Sequence, residues 1–160
     1  NGTTDGLKLW LNVIAMLIAF TGLVTLIDWP LGEVGLSLEK IFGWIFSPVA
    51  WLMGIEGTHD CQLFGSLLGT KLSINEFVAF TQLESMLPDG ENPFQHKRSA
   101  QMAAYALCGF ANFASIGIQI GGITPLAPSR KTDIARLAPR AMLGGAMGSW
   151  MTATMAGMFI

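Results

Sequence analysis

Gly69-Thr70-Lys71-Leu72-Ser73-Ile74-Asn75-Glu76-Phe77-Val78-Ala79-Phe80 sets a lysine, an asparagine and a glutamate in the middle of a largely apolar stretch that runs over 59–87. Each flanking arm is only about ten residues long, and a hydrocarbon core of roughly 30 Å needs about 20 helical residues to cross. In lipid, a single helix through the whole stretch would leave Lys71 and Glu76 near mid-membrane, where ionised side chains are costly. A re-entrant helical hairpin, its polar tip lining a wet cavity and its backbone satisfied within each arm, is the cheaper arrangement. That reading depends on whether lipid is the solvent.

The rest of the chain says that it is. Of its 160 residues, 51% are hydrophobic and 12% charged, against about a quarter charged in ordinary soluble domains. No charge falls over 9–27, 99–129 or 141–160. The first of these predicts a transmembrane helix over 9–27, with Asp28, Trp29 and Pro30 marking its exit, because Pro30 opposes helix continuation and Trp29 suits the headgroup layer. Over 36–55, apolar residues recur at helical spacing (Leu38, Ile41, Phe42, Ile45, Phe46, Val49, Met53), interrupted by Pro48 and flanked by Trp44 and Trp51. This segment predicts an interfacial helix.

Beyond a polar loop, the stretch 99–124 has a small, polar centre, Cys108-Gly109-Phe110-Ala111-Asn112-Phe113-Ala114-Ser115, and closes at Pro125 and Pro128. A transmembrane helix broken at that centre presents unpaired backbone groups at the midplane, where a polar ligand can bind. Arg130, Lys131, Arg136 and Arg140 then form a basic loop with Asp133, placed on the cytoplasmic side by the positive-inside rule, before a last transmembrane helix over 138–160. From that anchor the broken helix runs inward, the last helix returns outward and the hairpin dips in from outside. The fold class is therefore an all-α membrane protein, multi-pass in a plasma or inner membrane.

Composition also excludes. A net charge of −2 offers no basic face for nucleic acid. Cys61 and Cys108 have no metal-ligand spacing, and His59 and Asp60 beside Cys61 lack a second ligand cluster. His59 and His96 lie in predicted loops and no nucleophile motif is present, so no enzyme is expected. The start at Asn1, with neither an initiator Met nor a signal-peptide pattern, reads as a piece of a longer protein.

Three residue types carry the candidate chemistry. Glu76 either binds a ligand, pairs with Lys71, or rests in a wet tip with no ligand role. Asn112 and Ser115, three residues apart, share one face of a helix and serve either a cavity or interhelical hydrogen bonding. Phe110 is by default lipid-facing or core, and the glycines of 117–122 and 144–148 permit close helix packing.

The twelve residues 69–80 resemble the signature of the concentrative nucleoside transporters: a small residue, x, Lys, three variable positions, then Asn-Glu-Phe-Val-Ala and an aromatic. Ala106-Leu107-Cys108-Gly109-Phe110-Ala111-Asn112, the opening Asn1-Gly2-Thr3-Thr4-Asp5-Gly6-Leu7 and Asp133-Ile134-Ala135-Arg136 extend the resemblance over the whole chain. It implies the second half of an inverted-repeat transporter: a scaffold helix over 9–27, an interfacial helix over 36–55, the second hairpin over 59–87, a broken helix over 99–124 and a last helix over 138–160. Carried over by position, Glu76 accepts from ribose hydroxyls, Asn112 and Ser115 bind the ribose, and Phe110 lines the site. The implied partners are a nucleoside, the lipid bilayer, the N-terminal half of the same transporter and two further copies in a homotrimer. The coupling ion, sodium or proton, is expected on upstream residues, leaving no cofactor or metal in this half. The competing reading from another class is a membrane scaffold or interaction subunit without a substrate, in which the polar residues only join helices.

Overall fold

The computed structural model describes residues 2–124 and 127–160; Asn1, the first residue of the opening motif, and Pro125, one of the two prolines expected to close the broken helix, lie outside them. All regular structure among the described residues is helical. The chain divides into two compact units, one ending at Leu38 and the other running from Glu39 to Ile160.

The first unit is essentially one helix, α1 (Gly2–Glu33), longer at both ends than the 9–27 expected. Pro30 does not stop it. The ring forgoes the one N–H bond to Leu26 O, and the helix runs on to Glu33 before Gly35, at φ 73°, stops it. There the Leu36 N–H donates to Leu31 O at 3.0 Å, the closing bond of a left-handed glycine cap. Asp28 turns its carboxylate to the backbone, accepting from Leu38 N–H at 2.7 Å.

In the second unit, α2 (Leu38–Leu52) ends in the same way, with Gly54 at φ 89° and Ile55 N–H on Ala50 O at 3.1 Å. Trp44, Ile45, Trp51 and Leu52 stay exposed along it, while Gly43 and Ala50 are buried. The buried side meets α3 (Thr58–Ser73), the most enclosed helix of the unit, from which Phe64, Leu67 and Leu68 enter the core together with Met102, Ala103 and Leu107. Close approach of α2 and α3 requires glycine: a Cβ at Gly65 would stand 2.8 Å from both Gly43 O and Ser47 N.

α4 (Glu76–Ser85) follows α3 after only Ile74 and Asn75 and packs beside it, so 59–87 is a helical hairpin whose tip is the Asn75-Glu76 step. Over 99–124 the helix is interrupted, giving α5 (Lys97–Leu107) and α6 (Phe113–Ile123). A 3-10 turn at Pro128–Arg130 leads into α7 (Lys131–Ala156), which packs on both α5 and α6. The expected basic loop is mostly helix; Asp133 in its first turn complements the positive helix end and accepts from Arg130 Nε at 2.6 Å. Trp150 on α7 meets Phe46 edge-on, with ring centroids 6.2 Å apart, and touches both core clusters.

Among the described residues, no helix is both long and apolar enough to cross a membrane. The break holds α5 and α6 to 11 residues each, and α7 spends its length on charges, glycines and hydroxyls.

The open end of the hairpin is tied by Asp60, which is fully buried and accepts from Gln95 N–H at 2.8 Å, His96 N–H at 3.1 Å and His96 Nδ1 at 3.0 Å. Burial alone would raise its pKa, but these donors, with the Ser99 hydroxyl and His59, outweigh burial and hold it below the ordinary 3.8. A carboxylate with a depressed folded-state pKa stabilises fully above its unfolded value and loses that contribution as pH falls through the folded one. The difference in thermal midpoint between the intact protein and its Asp60→Asn variant should therefore be constant above about pH 5 and shrink below about pH 4. Gly65→Ala should lower stability by about 1–3 kcal/mol, read from detergent-solubilised thermal unfolding, because backbone atoms of α2 must move to admit the methyl group.

Candidate functional site

Both breaks in the second unit solve the same problem: a helix that starts inside the protein has N–H groups without partners. Asn75 caps α4, its side-chain oxygen accepting from Val78 N–H at 2.9 Å. Asn112 caps α6 in the same way, accepting from Ser115 N–H at 2.8 Å. Ser115 returns the favour as a capping box, its Oγ accepting from Asn112 N–H at 3.3 Å and donating to Asn112 O at 2.6 Å.

The two caps meet. Asn112 Nδ2 donates to Glu76 Oε2 at 3.1 Å, so the first residue of α4 and the cap of α6 share a hydrogen bond across 36 positions of sequence. Two helix N-termini thus converge on one carboxylate, their partial positive ends facing its negative charge. Glu76 remains half-buried, while Asn112 and Ser115 are enclosed.

Of the four residues read from the sequence, Glu76 and Asn112 come into direct contact. Ser115 is fully buried with its hydroxyl spent inside the cap, where it fixes the Asn112 side chain. Phe110 stands on the linker between α5 and α6, 48% exposed, two residues before Asn112. Phe77 and Phe113, beside Glu76 and Asn112 in sequence, are also exposed; their place in the signature and in the polar centre was the available signal.

Lys71 does not pair with Glu76. Its ammonium is buried and donates to Ala106 O at 2.8 Å, Cys108 O at 3.4 Å and Ser149 Oγ at 2.8 Å. Ser149 lies 78 positions away on α7, and no pattern in the sequence links the two. Among the described residues, no group of His, Cys, Asp and Glu is placed to hold a metal ion.

Residues 1–157 match the family model described as "Na+ dependent nucleoside transporter C-terminus". The chain belongs to that family. A nucleoside permease NupC from Helicobacter pylori is 40% identical over 167 residues, covering 100% of this chain and 40% of that protein. A protein from Haemophilus influenzae, named only as an uncharacterized transporter, is 44% identical, over 99% of this chain and 40% of its own length. The structure of CNTnw in an inward-facing substrate-bound state superposes with a TM-score of 0.88 at 38% identity, over 99% of this chain and 39% of that one. The chain thus spans about 40% of the length of the relatives it matches. The family is one of transporters, not enzymes, and the resemblance drawn from the signature at 69–80 holds along the entire chain.

The contact between Glu76 and Asn112 can be isolated from the cap. Aspartate caps a helix as well as asparagine does, so Asn112→Asp keeps α6 capped but faces Glu76 with a like charge. It should cost about 1–3 kcal/mol of thermal stability. The double variant with Glu76→Gln, which restores a donor and an acceptor in exchanged positions, should recover most of that loss.

Proposed function

We propose that this chain forms the sugar-binding side of a cation-coupled nucleoside symporter. One observation carries the reading: Glu76 and Asn112, at the meeting point of two internal helix N-termini, form a donor-acceptor pair that vicinal hydroxyls can divide between them. A carboxylate accepts two hydroxyl donors, and an amide both donates and accepts. Family membership and the name of the Helicobacter pylori relative supply nucleoside as the substrate class.

In this reading α3 and α4 are a re-entrant hairpin entering from the outer side, and α5 and α6 are one membrane helix broken at the midplane. Helix α1 is the scaffold crossing, α2 lies at the interface with Trp44 and Trp51 toward the headgroups, and α7 is the last crossing. The exposed Trp10, Ile18, Leu26 and Trp29 of α1 suit a lipid or partner-helix environment better than water. Phe110 lines the site beside the sugar, and Ser115 holds the Asn112 side chain in position to meet it. The complete transporter adds an N-terminal half with its own hairpin and broken helix, sits as a homotrimer in the plasma or inner membrane, and carries its coupling ion on residues of that other half. The family's description favours sodium over the proton in that role.

The test is uptake of labelled uridine by the intact transporter in proteoliposomes. Glu76→Gln keeps the shape but accepts from hydroxyls less strongly, and uptake should fall by at least about tenfold, with a matching loss in equilibrium binding. Native uptake by this variant would remove Glu76 from the site. Absence of saturable binding by the unaltered protein at millimolar uridine would leave the scaffold reading.

A further inference from the structure

The five-residue separation of Lys71 and Glu76 acquires a use once the polarity of the α5–α6 break is considered. A break has two unlike sides. The end of α5 presents carbonyl oxygens without partners and carries partial negative charge, and the start of α6 presents N–H groups and carries partial positive charge. Lys71, on the last turn of α3, reaches the carbonyl side at Ala106 O and Cys108 O. Glu76, on the first turn of α4, reaches the amide side through Asn112.

We propose that Lys71 and Glu76 form a two-pole clamp, one charge of each sign from the hairpin tip set against the oppositely charged end of the broken helix, and that Lys71 is a positioning residue for Asn112. The surroundings of Lys71 fit this role. Its three N–H donors meet three oxygens, and Ser149, which donates its own hydroxyl proton to Ala146 O at 2.8 Å, presents Lys71 with an acceptor. No carboxylate lies within ion-pair distance of it among the described residues. The charge is therefore balanced by helix-end carbonyls, which ties its position to the C-terminus of α5. Gly109, at φ 117°, makes the turn possible: a Cβ there would sit 3.9 Å from Lys71 Nζ and 3.7 Å from Ser149 Cβ. Three residues further on, the chain arrives at Asn112.

The clamp predicts an effect on the break itself, separate from whether a nucleoside is the substrate; only the transport arm of the test rests on the function proposed above. In the intact transporter, Lys71→Ala removes the ammonium and leaves an oxygen-lined space behind it. Amide hydrogen exchange over 109–116 should rise by at least about tenfold, with α1 unchanged. Added n-propylammonium, which restores a donor of the right length, should reverse most of that rise, whereas tetramethylammonium, which has no N–H, should not. Ser149→Ala, which removes one acceptor and no charge, should raise the same exchange by about threefold and serves if Lys71→Ala does not fold. Uridine binding should weaken and recover in parallel. Native exchange over 109–116 in either variant overturns the clamp, as does a rise in Lys71→Ala that both amines or neither amine reverses. If exchange behaves as expected and the unaltered protein binds no uridine, the clamp stands and the substrate assignment falls.

Discussion

A helix interrupted inside a protein leaves up to four N–H groups on one side of the gap and four carbonyls on the other, and burying them unpaired costs more than most side-chain contacts return. The second unit of this chain contains two such interruptions, at Ile74-Asn75 and at Cys108–Asn112, and much of its arrangement follows from satisfying both. Each new helix begins with an asparagine whose side chain replaces a missing carbonyl. The α5 carbonyls receive an ammonium. Because Lys71 and Glu76 at the hairpin tip find partners on the two sides of the α5–α6 break, the tip and the broken helix fit face to face.

Packing makes that meeting possible. Helix α3 is buried along nearly its whole length, and it reaches the centre only because Gly65 lets α2 lie against it at backbone distance. At its N-terminal end Asp60 gathers the loop that returns the chain from α4 to α5. Fixed at its start and its middle, α3 delivers Lys71 and the tip to a defined height. The exposed surface is unlike the interior, since Trp44, Trp51 and Leu52 stand outward on the same helix that buries Gly43 and Ala50.

Much of this was legible in the sequence, and the reasons for the rest are physical. The half-length arms around Asn75-Glu76 announce a hairpin because element length is a local property, and the small polar centre at Cys108–Ser115 announces a break for the same reason. Glu76 and Asn112 were visible as polar residues in apolar surroundings, although their mutual hydrogen bond was not, since it joins two elements whose register depends on tertiary packing. The errors were local too. Pro30 reads as a stop but the helix runs through it to Glu33, and Gly35, the true stop, is recognisable only by its backbone conformation. The charges at 130–140 read as a loop, yet α7 begins at Lys131 and runs through them, Pro139 included. Lys71 was the hardest to place, because its partners are two backbone carbonyls and a serine far along the chain, none of which a side-chain pattern encodes.

On the proposed function, the hydrogen bond between Asn112 and Glu76 also bears on which ligand suits the site. With the site closed on itself, the amide gives a proton to the carboxylate, so an incoming group must compensate both partners at once: a donor for Glu76 and an acceptor for Asn112. A lone carbonyl or an anion can accept from Asn112 but leaves Glu76 unmatched and adds repulsion; a cation reverses the fault. A hydroxyl both donates and accepts, and two adjacent hydroxyls do so at a spacing suited to bridging the pair while staying neutral. Neutrality matters because the charges near the break are already balanced by helix ends, Lys71 by the carbonyls of α5 and Glu76 by the N-termini of α4 and α6. On the function proposed above, the same electrostatics that stabilise the broken helix would favour a neutral polyol over either kind of ion.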